Sequence, residues 1–218
     1  MSQQLDEVSG FRYGDACPGC AHSYLLPIVE RELASVPWRG AEKRLVDVGC
    51  GNGSMAGLLH RQGYAVVGVD ASSEGIAHAK AQFPQVSFVQ ASVYDNLAAT
   101  LGRFPAATCL EVIEHLYSPR LLVKTLADLL EPGGKLIVST PYHGYLKNVA
   151  LAVSGKMDQH FTALWDHGHI KFWSPATLTS LFREHGFEDI RIERVGRIPP
   201  LAKSMVMVAT SPGARESR

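Results

Sequence analysis

Glu111, Glu114 and His115 stand in the run Glu111-Val112-Ile113-Glu114-His115. If a helix begins at Glu111, the i, i+3 and i+4 spacing puts two carboxylates and an imidazole on one face. Such a trio can hold a divalent cation or move a proton. A second group of candidates lies upstream, where Asp47 is followed by Gly49, Cys50, Gly51, Asn52 and Gly53. Glycine admits positive φ and lets a ligand approach backbone that a Cβ would block. Asp70 follows about 20 residues later, a distance at which an acid can accept hydrogen bonds from ribose hydroxyls.

The elements that must position these residues can be read from periodicity. Leu45, Val46 and Val48 make a buried strand, and Ser54 to Arg61 has helix composition, so the glycine loop feeds a helix N-terminus with unpaired N–H groups. Tyr64 to Val69 is a second buried strand ending on Asp70. Strands are expected again over 86–90, 106–110 and 135–139, and helices over 73–83, 96–101 and 119–130, the last stopped by Glu131-Pro132-Gly133-Gly134. A helix over 146–153, another over 175–185 and an antiparallel strand pair over 187–195 and 201–209 finish the chain. Strands alternating with helices predict an α/β, Rossmann-like fold. Its seven-stranded sheet is mostly parallel, with an antiparallel last strand and helices on both faces. Functional groups should then gather where strands end, at Gly49, Asp70, Ser92, Glu111 and Thr140.

The order Asp47-Val48-Gly49-Cys50-Gly51-Asn52-Gly53 resembles the first motif of the class I S-adenosylmethionine-dependent methyltransferases. The resemblance covers roughly residues 40–140, with a looser match to the C-terminus. It implies that S-adenosyl-L-methionine is the cofactor, held by Asp47, Gly49, Cys50 and Gly51. It also implies that Asp70 and Ala71 meet the ribose, that Ala91, Ser92 and Val93 meet the adenine, and that Glu111 lies beside the cofactor. A helix near residues 24–36 either closes over the cofactor, as in members of that family, or only packs on the sheet edge. The expected division is a tail and lid helix over 1–39 and a methyltransferase domain over 40–218, with a substrate-side insertion over 142–170.

The Glu111–His115 run, together with Asp166-His167-Gly168-His169-Ile170-Lys171-Phe172-Trp173, is also similar to two metal-dependent branches of the family. These are the ubiquinone-biosynthesis O-methyltransferases and the small-RNA 2′-O-methyltransferases. The second resemblance implies Mg2+ or Mn2+ on Glu111, Glu114, His115 and either His169 or His167; aligning Trp173 favours His169, and aligning Phe172 favours His167. Many relatives carry a similar Glu-x-x-x-His-Leu string with no metal. In that case His115, His143 or His169 would act as general base, or positioning alone would suffice, because the sulfonium leaving group is already activated. Tyr142, Tyr145, Phe161, Trp165 and Trp173 could supply an aromatic pocket for the acceptor.

Composition narrows the partners. Hydrophobic residues make up 46% and the formal net charge is zero, which disfavours bulk nucleic-acid binding. No apolar run has the length of a membrane span and the first residues carry no signal core, so a cytoplasmic monomer or homodimer is expected. The Cys17/Cys20 pair lacks the second pair a structural zinc site needs. The expected activity is methyl transfer to a small-molecule hydroxyl, catechol- or diol-like. The alternatives are a metal-independent N- or C-methyltransferase and a dinucleotide-binding oxidoreductase. The glycine spacing here does not fit the dinucleotide pattern G-x-G-x-x-G.

Overall fold

A computed structural model describes residues 21–213 except 162, 166 and 167. Cys17, Cys20 and His167 lie outside the described residues. The elements in chain order are α1 (His22–Ala34), β1 (Lys43–Val48), α2 (Ser54–Arg61), β2 (Tyr64–Asp70), α3 (Ser73–Gln82), β3 (Ser87–Gln90), α4 (Leu97–Leu101) and β4 (Phe104–Leu110). A 3₁₀ turn (Ile113–His115) then leads to α5 (Pro119–Leu129), β5 (Leu130–Pro141), α6 (Tyr145–Val153) and α7 (Met157–Phe161). The chain continues through α8 (Pro175–Glu184), β6 (Glu188–Val195), a 3₁₀ turn (Pro199–Leu201) and β7 (Ser204–Thr210).

The seven strands form one sheet in the order β3-β2-β1-β4-β5-β7-β6. Pairs from β3 to β5 are parallel, and β7 runs antiparallel between β5 and β6. The antiparallel strand pair is present, but the last strand enters the sheet's interior and leaves β6 at the edge. Helices cover both faces, because central strands that are apolar on both sides must be buried on both sides. On one face α1, α2 and α3 bury Leu25, Val29, Leu33, Met55, Leu59 and Ile76 against Leu45, Val66 and Ile137. On the other, α5 and α8 bury Leu122, Leu126, Leu178 and Phe182 against Val46, Phe104, Leu136 and Met207.

Several boundaries follow directly from local chemistry. Ser72 caps α3 by accepting the Gly75 N–H at 3.0 Å, and Ser174 with Thr177 forms a reciprocal capping box on α8. The segment Glu131-Pro132-Gly133-Gly134 is not a break before β5. The strand already begins at Leu130, and the pairing with β4 shifts register between Phe104 and Ala106, so the glycines sit in a bulge. The segment 142–170 carries α7 as well as the expected α6, and α6 has no buried residue.

Candidate active site

The loop after β1 is tied to the tip of β2 by the backbone. Gly49 and Cys50 both donate to the Val69 carbonyl, at 2.7 and 3.0 Å, and Gly51 donates to Asp70 Oδ2 at 2.8 Å. Asp70 Oδ1 accepts from the Ser72 N–H at 2.8 Å, so the carboxylate braces both loops. Gly49, Gly51 and Gly53 all have positive φ, at 78°, 53° and 75°. At Gly49 a Cβ would stand 2.3 Å from Val112 Cγ2, so there the glycine makes room for the chain after β4.

Asp47 lies beneath this loop. The Thr108 hydroxyl on the neighbouring strand, its register partner, donates to Asp47 Oδ1 at 2.7 Å, and Oδ2 has no hydrogen-bond partner among the described residues. Burial pushes the Asp47 carboxyl up to about 6 against the pull of Thr108, and the Asp70 charge adds to the rise. Burial raises Asp70 as well, opposed by its backbone donors. Ala71 and Ala91 flank Asp70, with the Ala91 N–H donating to the Asp70 carbonyl at 3.0 Å. Ser92 closes a tight turn by accepting from the Tyr94 N–H and donating its own N–H to Asp95. Val93 is buried beside it. These residues share the carboxyl ends of β1, β2 and β3.

After β4 the chain departs from the expected helix. Glu111 has φ 56° and the turn that follows is 3₁₀, so Glu111, Glu114 and His115 do not share a helical face. Glu111 instead turns to β5 and β7, where the hydroxyls of Ser139 and Ser204 donate to its oxygens at 2.7 and 3.3 Å. Tyr24 of α1 hydrogen-bonds Ser204 at 3.2 Å, and His22 meets Ser54 at 3.2 Å. The N-terminal end of α1 therefore reaches both the glycine loop and the neighbourhood of Glu111.

Glu114 is 1% exposed. Thr140 donates to its Oε2 at 3.0 Å, and Oε1 is buried without a hydrogen-bond partner among the described residues. The Glu114 carbonyl accepts the N–H groups of Ile170 and Lys171 at 2.9 and 3.0 Å, which brings His169 alongside. One ligand atom each from Glu114, His115 and His169 all lie within 4.8 Å of one another. His115 Nδ1 is 3.3 Å from the Gly168 carbonyl, which can only accept; this leaves the ring's lone pair on Nε2, 4.0 Å from Glu114 Oε1. Burial, then the charge of Glu111, pushes the Glu114 carboxyl well above its ordinary range. Burial, then His115, holds His169 down at about 4, a neutral imidazole able to act as a ligand.

His143 belongs to a neighbouring group of rings. Its centroid lies 5.6 Å from His160, 6.0 Å from Phe161 and 5.0 Å from Phe172. His143 Nδ1 and His160 Nε2 are buried without partners among the described residues. Of the aromatic residues expected to line a pocket, Phe161 joins this group and Trp165 meets His115 and His169, whereas Tyr145 is 80% exposed. Tyr142 is buried and Trp173 packs against the core. Thr108, Ser139 and Ser204 were not among the candidates, whereas Thr140 was expected at the end of its strand and stands there beside Glu114. Ser204 meets Glu111 only through the antiparallel register Pro141↔Ser204.

Comparison with known proteins decides what this arrangement belongs to. A family profile described as a methyltransferase domain matches residues 21–192. The chain belongs to this methyltransferase family. The ubiquinone biosynthesis O-methyltransferase of Xanthomonas axonopodis pv. citri is 30% identical over 191 residues, covering 85% of this chain and 80% of that protein. The protein of the same name from Aeromonas salmonicida is 29% identical over 140 residues; that match covers 62% of this methyltransferase and 59% of the relative, under two thirds of either length. The fold also matches magnesium protoporphyrin IX methyltransferase from Synechocystis PCC 6803 with bound SAH. There the TM-score is 0.61 at 19% identity, over 96% of this chain and 82% of that one. This methyltransferase is thus a class I, S-adenosylmethionine-dependent enzyme similar to the ubiquinone-biosynthesis branch. Among the described residues no helix is long and apolar enough to cross a membrane.

Proposed function

We propose that the enzyme transfers the methyl group of S-adenosylmethionine to a hydroxyl of a small diol or catechol-like acceptor, assisted by a divalent cation. The observation that carries this reading is the Glu114–His115–His169 cluster, with a fully buried carboxylate oxygen that no group among the described residues hydrogen-bonds. Buried carboxylates require a hydrogen bond or a counter-charge, and two imidazoles with one carboxylate suit a first-row divalent ion such as Mn2+ better than Mg2+, which prefers oxygen ligands. When bound, such an ion supplies positive charge that lowers the pKa of an acceptor hydroxyl. Glu111 stands next to the cluster, held by Ser139 and Ser204, and serves as a neighbouring negative charge. The ubiquinone-biosynthesis relatives carry O-methyltransferase in their names, which supports a hydroxyl as acceptor.

On the cofactor side, Asp70 offers its carboxylate to the ribose while Gly51 and Ser72 fix its rotamer. The glycine loop and Asp47 receive the amino-acid part, and Ala91, Ser92 and Val93 border the adenine. The acceptor lies between the cluster and the rings of His143, His160, Phe161 and Phe172. Alignment of acceptor oxygen, methyl carbon and sulfur supplies much of the rate. Burial first, then Lys147, holds His143 down at about 4, and such a weak base favours cation assistance over an imidazole acting alone. The test is transfer of labelled methyl groups to catechol with and without chelator. Chelator-sensitive transfer supports the reading; transfer to amines or carbon acids alone would replace it.

A further inference from the structure

The hydrogen bonds that end on Glu111 begin on α1. Ser139 and Ser204 each carry one hydroxyl proton, and each gives it to a Glu111 oxygen, at 2.7 and 3.3 Å. The Tyr24 hydroxyl, 3.2 Å from Ser204 Oγ, is therefore the donor in that contact. The chain runs one way, from Tyr24 to Ser204 to Glu111, across the start of β7. Ser204 is 1% exposed, so bulk water does not compete for its proton. A hydroxyl that accepts a hydrogen bond donates a stronger one, which matters most for the 3.3 Å link. Lys203, next to Ser204, lies over the Tyr24 ring at 5.5 Å and helps to seat it. The turn of α1 that carries Tyr24 is set apart from the rest of the helix by Pro27, which cannot donate to the Ser23 carbonyl and crowds it. Beyond Pro27, α1 is fixed by the fully buried Val29 and Leu33 and by Glu32, which pairs with Arg31, Arg191 and Lys135. Before it, Leu25 reaches the core, His22 meets Ser54 beside the glycine loop, and Tyr24 meets Ser204.

We propose that Tyr24 is a positioning residue for methyl transfer: through Ser204 it holds the Glu111 carboxylate in place when the first turn of α1 is seated. This rests on the acceptor reading above, in which Glu111 is the charge beside the cation cluster, and adds the group that sets it there. The same turn meets the start of α2 through His22, so the seat is shared between the cofactor loop and Glu111. Glu111 needs such support because its φ of 56° is a conformation that surrounding contacts must maintain.

The test compares Tyr24→Phe, Ser204→Ala and the double variant in the full chain, by labelled methyl transfer to catechol with Mn2+ present. Tyr24→Phe keeps the ring under Lys203 and removes only the hydroxyl. It should lower kcat about tenfold with KM for S-adenosylmethionine unchanged. Ser204→Ala should lower kcat at least as far, and adding Tyr24→Phe to it should change nothing further. Adding Tyr24→Phe to Ser139→Ala, which lies off the chain from Tyr24, should still give the tenfold loss. Undiminished kcat in Tyr24→Phe, or losses that multiply when Tyr24→Phe and Ser204→Ala are combined, overturns the proposal. Should none of the proteins methylate catechol, the hydroxyl reading falls and hydrogen exchange decides the link. Ser204→Ala should then speed exchange of amides 24–26 several-fold and leave 28–34 as in wild type. Unchanged exchange at 24–26 overturns the proposal.

Discussion

The Thr140 hydroxyl holds one oxygen of Glu114 at 3.0 Å and leaves the other buried with no protein partner described. A carboxylate in that position is poorly satisfied until a cation arrives. Mn2+ should therefore stabilise the folded wild type, by about 2.7 kcal/mol at one hundred times its Kd. Glu114→Gln keeps an acceptor for Thr140 but loses the charge, so its unfolding midpoint should not move with Mn2+. Differential scanning calorimetry in chelated and Mn2+-containing buffer reads this directly. Equal Mn2+ shifts in both proteins would place the ion elsewhere.

Asp47 should leave a signature in the pH dependence of stability. Its folded carboxyl titrates at about 6 against an ordinary 3.8, so the native state holds this proton more tightly than the unfolded chain. The native state is then relatively favoured at low pH and loses stability as pH rises from about 4 to about 6. Above that range the ionised, buried carboxylate costs on the order of 3 kcal/mol. Asp47→Asn retains an acceptor for Thr108 and cannot ionise. The difference in denaturation free energy between variant and wild type should grow in the variant's favour between pH 4 and pH 6, then level off. A pH-independent difference would show that Asp47 is not the group responsible.

Much of the fold was readable because it rests on short-range chemistry. Ser54 to Arg61 with its glycine loop and the strand ending on Asp70 both stand where composition put them. The family motif likewise brought Asp47, Gly51 and Asp70 together. What escaped the sequence was set by long-range pairing. The bulge at Gly133 and Gly134 depends on β4 continuing to pair across a turn-like segment. The grip of Ser204 on Glu111 depends on β7 inserting between β5 and β6. The expected helical face at Glu111 failed for a local reason, because its left-handed φ starts a 3₁₀ turn instead of an α-helix.

That backbone conformation at Glu111 invites a comparison that cancels the side chain. Glu111→Ala and Glu111→Gly both lose the hydrogen bonds to Ser139 and Ser204, but only glycine relaxes φ 56° at no steric cost. The glycine variant should be more stable than the alanine variant by about 1 kcal/mol in urea denaturation, the reverse of the usual order. Both should lose most methyl transfer. Alanine equal to or better than glycine would mean that no strain is held there.

Gly49 should tolerate no side chain. Alanine there meets both the positive φ and Val112 Cγ2 at 2.3 Å, a combination expected to cost about 3 kcal/mol and to abolish binding of S-adenosylhomocysteine. Val112→Ala in the same chain removes the overlap but not the φ penalty, so about half of the stability should return. Full recovery would show that crowding alone sets the requirement, and no recovery would show that φ alone does.

Methyl transfer from labelled S-adenosylmethionine to a catechol, by chelated protein before and after addition of Mn2+, tests the cation-assisted chemistry at Glu114, His115 and His169 most directly. Wild type should transfer only after the ion is restored, while Glu114→Ala and His169→Ala should stay inactive with S-adenosylhomocysteine binding unchanged. Full transfer in the presence of chelator, undiminished by Glu114→Ala, would contradict it.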